Sequence, residues 1–170
     1  MSHLRHVVVA AVLALDACAF PVASESPASG VDAADVDAYE RDVHPMLEAS
    51  CATLDCHGAE RRPLRLYVET GRRLRAALRG QPLTSEERDA NIRALRTIDL
   101  GEPDVDRSMV LQKPLAVAAG GVAHVGRDVW LTRADPNYVC LRAFLTRESE
   151  TAGARAACAL ADRLPDPPPP

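Results

Sequence analysis

The segment Glu48 to Gly58 reads EASCATLDCHG and concentrates the chemically distinctive side chains of the chain. Two thiols, Cys51 and Cys56, are separated by four residues, and the imidazole of His57 follows the second thiol directly. Four kinds of chemistry use such a set. A zinc ion takes four nitrogen or sulfur donors in a tetrahedron. Cys51, Cys56 and His57 supply three, with His44 or His124 as a fourth, and adjacent Cys56 and His57 crowd one small ion. A thiol nucleophile is disfavoured by a second thiol close enough to oxidise it. A disulfide between Cys51 and Cys56 leaves His57 without a role. Covalent haem attachment uses two thiols for the two vinyl groups and a histidine immediately after the second thiol for iron, most often as Cys-x-x-Cys-His. Here the thiol spacing is longer by two residues, which can loop outward, and the Cys-His adjacency is kept. Disulfide and haem anchor both stay open on the residues alone.

Other chemistries find little support. No phosphate loop, Ser-His-Asp arrangement or paired-carboxylate site is recognisable. Glu86, Glu87, Glu148 and Glu150 read as solvated helix faces. The net charge is −4, Lys113 is the single lysine, and the arginines are spread without a basic run. That distribution argues against nucleic-acid binding. Apolar residues make up 47% of the chain but aromatics only 4%, so the core is expected to be light in large packing groups, which a flat cofactor could supply.

The N-terminus sets the expected compartment. Arg5 and His6 precede an apolar run from Val7 to Leu15, the pattern of an export signal and too short to span a bilayer. Leu15-Asp16-Ala17-Cys18 resembles a lipobox, which would make Cys18 a lipidation site and membrane anchor; cleavage at Ala17-Cys18-Ala19 is the other processing route. The expected organisation is a leader over 1–19, a flexible tether over 20–35, one folded domain over 36–163 and a proline-rich tail over 164–170. Periplasmic or envelope-attached localisation follows.

The elements that must position the thiols are mainly helical. Val36, Tyr39, Val43 and Leu47 fall near helical spacing, so one helix runs toward Cys51 and kinks or ends at Pro45. His44, beside Pro45, reads as an exposed helix residue, and Met46 as packing. Leu64, Leu66 and Val68 alternate as an extended piece. Leu74 and Leu78 then suggest about two helical turns between Gly71 and Gly80. Thr84 and Glu87 have capping-box spacing for a helix ending near Gly101. Residues 102–130 are mostly loop, with a short element at Ser108 to Gln112. Asp135 and Pro136 start the clearest helix, with Tyr138, Leu141 and Leu145 facing inward.

The order of these segments resembles small exported bacterial cytochrome c-like domains, including the Planctomycete-type cytochrome C family. The matching residues are Tyr39, Val43, Pro45, Met46, Leu47, Cys51, Cys56, His57 and Gly58, then the segment from Pro63 to Gly71. Pro103 to Leu115 follows, with Ser108, Lys113 and Pro114 in place. The likeness spans roughly Tyr39 to Leu145. The longer thiol spacing departs from it, as does a last helix with Phe144 where the family has Trp. The resemblance implies a mainly α, cytochrome c-like helical domain with long loops. It implies one haem c held by Cys51 and Cys56 and ligated by His57. Such domains often carry a distal histidine in the loop before the last helix, where His124 stands among glycines; Met109 is the alternative, with core filler as its bland reading. Cys140 and Cys158 then remain for a disulfide worth ~3 kcal/mol in the chain-entropy model.

The expected function is single-electron transfer between redox protein partners by a non-enzymatic monohaem cytochrome. Peroxidase-like reactivity would need an open iron position. The alternative is an exported lipoprotein scaffold without haem, with its four remaining cysteines in disulfides.

Overall fold

A computed structural model describes residues 31–98, 102–125 and 129–163. The expected leader, Cys18, most of the tether and the proline-rich tail lie outside the described residues. The described chain is mainly helical. Its only extended pairing is an isolated parallel bridge between Leu115 and Trp130.

One continuous helical stretch leads to the thiols. Helix α1, Ala33–Ala38, starts at Asp32, whose carboxylate accepts from the Ala34 N–H. A single wide π turn, Tyr39–Val43, follows, and helix α2, His44–Ser50, completes the stretch. The wide turn sits immediately before Pro45. A proline inside a helix lacks an N–H and its ring crowds the carbonyl four residues back. Widening the turn relieves that crowding without ending the helix. Helix α3, Ser85–Thr97, carries the expected capping box, with Thr84 and Glu87 bonding reciprocally. Helix α4, Met109–Gln112, is capped by Ser108. Helix α5, Pro136–Thr146, is capped by Asp135 with Pro136 in the first turn. Helix α6, Ala152–Leu160, is capped by Thr151 and packs on α5.

Four of the five described aromatic residues are buried, and Tyr67 is half-buried. Tyr39, Phe144, Trp130 and Tyr138 are all at most 2% exposed and join Val43, Met46, Leu47, Ile92, Leu95 and Leu141 in one cluster. The Trp130 and Tyr138 rings meet edge to face at 5.9 Å. Burying each such large apolar side chain stabilises the fold by ~1.5–3 kcal/mol. Phe144 fills the centre of this cluster, under the Arg96 guanidinium 4.6 Å from its ring centroid.

Two expectations are corrected, and one helix is additional. The two helical turns between Gly71 and Gly80 reduce to one 3-10 turn, Ala76–Leu78. The cause is Arg73, which donates to the carbonyls of Leu78, Gln81 and Pro82 and so folds the segment around its own guanidinium. Glu87 is not on a solvated face. Its side chain is 0% exposed and meets Arg73 at 2.7 Å. Helix α6 was not anticipated, because its inward face, Ala154 and Cys158, is built from small side chains that give a weak signal.

Candidate functional site

Residues 51–58 form a tight loop at the end of α2. The His57 N–H donates to the Cys51 carbonyl, and the N–H groups of Cys56 and Gly58 both donate to the Thr53 carbonyl. The two additional residues between the thiols are taken up by this curl. Gly58 closes it. A Cβ there would stand 2.5 Å from the Ala52 carbonyl oxygen, so only glycine allows the approach.

Both thiols are free. Cys51 is half-buried against the core, and desolvation, the main cause, pushes its pKa up to about 12. Cys56 is exposed. The loop therefore presents one shielded thiol and one open thiol on either side of Leu54, which is itself 53% exposed.

The His57 ring is half-buried and oriented. Its Nδ1 lies 3.0 Å from the Leu64 carbonyl oxygen. A carbonyl only accepts, so the proton sits on Nδ1 and the Nε2 lone pair is left for a ligand. Burial holds the imidazole below its ordinary pKa; the Leu64 carbonyl opposes this, and positive charge on His124 and Arg62 adds to it.

His124 comes from the loop between the 3-10 turn Val117–Ala119 and Trp130. Its ring lies beside that of His57, with centroids 6.1 Å apart and planes 25° from parallel. Gly121 makes the approach possible: a Cβ there would fall 1.9 Å from the Leu115 carbonyl oxygen. The neighbouring Val125 is 78% exposed. Gly126 lies outside the described residues.

The other candidates are placed elsewhere. Met109 opens α4 and is 37% exposed, so the core-filler reading is corrected. Met46 is fully buried in the core. His44 is not an exposed helix residue. It is half-buried, with Nε2 2.8 Å from Glu69 Oε2. Cys51, Cys56 and His57 do not converge as zinc ligands. Among the described residues the one compact donor group is His44, Glu48 and Glu69, which the sequence reading missed. Cys140 and Cys158 form the expected disulfide, with Cα atoms 4.8 Å apart, and join α5 to α6.

A haem group can be tested against this geometry. Two imidazoles bound through nitrogen to opposite sides of one metal ion, at bonds of about 2 Å, have ring centroids about 6 Å apart. The His57–His124 separation agrees with that figure. The free Nε2 of His57, two unpaired thiols in the same loop and exposed Leu54 and Val125 beside them also suit an apolar, thiol-anchored group. The residues present fit it.

Comparison of the chain with family models, curated proteins and solved structures returns no match.

Proposed function

We propose that the chain is an exported, monohaem c-type cytochrome with a cytochrome c-like fold that carries single electrons between redox proteins. The observation that supports this most is the apposition of His57 and His124 at 6.1 Å beside two free thiols. Cys51 and Cys56 would hold the porphyrin through thioether bonds, and His57 and His124 would ligate its iron. A haem so held would supply one-electron redox chemistry.

The chain's own residues then have defined tasks. The Leu64 carbonyl holds the Nδ1 proton of His57 and keeps Nε2 facing its ligand. Gly58 and Gly121 let backbone approach where a side chain would obstruct. The half-buried Cys51 side keeps water from one edge of the site, while the exposed Cys56 side is where a partner protein would approach. A two-histidine ligand set gives a lower potential than a His/Met set. With both histidines engaged, the chain would act as a carrier and not an enzyme. The Arg5-to-Leu15 pattern supports export, and Cys18 supports a lipid anchor at the envelope.

Absorption spectroscopy of the full chain, produced with the c-type maturation machinery, tests the reading. The wild type should show low-spin Soret and α bands that survive acid-acetone extraction. His124→Ala should turn the spectrum high-spin and Met109→Ala should leave it unchanged. A colourless protein, or a spectrum indifferent to His124→Ala, overturns the assignment. A colourless chain with Cys51 joined to Cys56 would be the scaffold instead.

A further inference from the structure

We propose that His44, Glu48 and Glu69 bind one divalent transition-metal ion of the Zn²⁺ class, at a site separate from the His57–His124 pair. Their donor atoms all lie within 4.8 Å of one another. Ligands bound tetrahedrally to one ion at about 2.1 Å stand about 3.4 Å apart. The widest pair therefore closes by up to about 1.4 Å, within the reach of side-chain rotation. One imidazole with two carboxylates is a mixed nitrogen and oxygen set, suited to borderline ions and not to magnesium.

The placement of the three residues is not a chance surface grouping. His44 and Glu48 stand four apart on α2, on one face of the helix. Glu69 arrives from the loop after His57. Each ligand is held from behind by a group outside the set. The Tyr39 hydroxyl lies 3.4 Å from His44 Nδ1, and Asn91 in turn donates to that hydroxyl at 2.8 Å. Glu69 Oε1 accepts from the Leu83 N–H, and Glu48 Oε1 accepts from both the N–H and the hydroxyl of Thr70. Such outer contacts orient metal ligands and leave their remaining donor atoms facing inward.

Without an ion, only Glu69 of the two carboxylates meets a basic side chain among the described residues. His44 can bridge only one carboxylate, and its Nε2 contacts Glu69 Oε2 at 2.8 Å. Among the described residues Glu48 forms no ion pair, and the partners it has, on Thr70, are neutral. A cation would balance both carboxylates at once. A cavity of about 310 Å³ opens onto His44 and Glu69 between Tyr39, Leu83 and Arg88, leaving room for water as a further ligand. The ion would tie α2, just before Cys51, to the segment whose Leu64 carbonyl orients His57. It would thereby brace the thiol loop from both ends.

Isothermal titration of the full chain with zinc chloride, its thiols occupied by haem or alkylated, tests this, alongside Glu48→Gln, Glu69→Gln and the exposed control Glu60→Gln. The expected result is one ion per chain, bound at least ~10-fold more weakly by Glu48→Gln and by Glu69→Gln and unchanged in Glu60→Gln. Zinc should also raise the thermal midpoint of the wild type and not of the two ligand variants. Glu48→Gln keeps an oxygen for Thr70 and carries the test if Glu69→Gln does not fold. Absence of zinc binding, or binding that survives both ligand changes, overturns the proposal. Neither result depends on haem, so the two readings fail independently.

Discussion

The guanidinium of Arg73 and the carboxylate of Glu87 meet at 2.7 Å with 1% and 0% of their side chains exposed. Glu87 also caps α3 and accepts from the Leu74 and Thr84 N–H groups. Burial by itself would raise the Glu87 carboxyl; the hydrogen bonds from Arg73, Leu74 and Thr84 outweigh it and hold the group at about 2. Removing one member of a buried pair leaves the other charge uncompensated, at a cost of ~3–5 kcal/mol. Glu87→Gln should lower stability by about that amount in urea unfolding. Because the folded value lies below the unfolded one of about 4.3, this stabilisation is complete above that pH. It should fade as pH falls from about 4.3 through about 2, by on the order of 3 kcal/mol. A variant whose stability and acid profile match the wild type would contradict the pair's role.

Two glycines should respond in opposite directions to alanine. At Gly121 the added carbon meets the Leu115 carbonyl oxygen at 1.9 Å, so backbone must move and the His124 loop with it. A lower thermal midpoint is expected. At Gly153, in the first turn of α6, nothing lies within 4 Å of the new carbon. Gly153→Ala should stabilise by up to ~1 kcal/mol through helix propensity. Calorimetry of both variants checks the sign of each change.

The sequence made some of this plain and hid the rest, for physical reasons. Helices α3 and α5 were legible because their signals are local: a capping box at Thr84 and Glu87, and Asp135 before Pro136. A disturbance of the helix near Pro45 was legible from the ring's demand for space, and it takes the form of the π turn. Glu87 was misread because its burial depends on the 71–82 segment wrapping Arg73, which no local pattern encodes. The grouping of His44 and Glu48 with Glu69 was missed, because Glu69 joins them only through the path of the loop. The proximity of His57 and His124 likewise depends on how the loop after α4 returns, which spacing cannot reveal.

Replacing both Cys140 and Cys158 by alanine should cost about 3 kcal/mol, from the freed loop entropy of the unfolded chain. The loss should appear as a lower denaturant midpoint, with α6 detaching first under native-state hydrogen exchange. Equal stability with and without the bridge would show that α6 docks without it.

The thiols should differ in reactivity when no group is attached. Cys51 is shielded and its pKa is pushed up to about 12, whereas Cys56 is exposed. Alkylation of the folded chain near neutral pH, followed by peptide mapping, should label Cys56 well before Cys51, since the thiolate is the nucleophile. Denaturation should make the rates equal. Equal rates in the folded chain would contradict the loop geometry.

The most direct test of haem carriage is the intact mass of the mature chain, made by a host that attaches haem c. The account predicts the polypeptide mass plus one haem, with the addition lost on Cys51→Ala/Cys56→Ala. A mass lower by two hydrogens at Cys51 and Cys56, with no haem added, would contradict it.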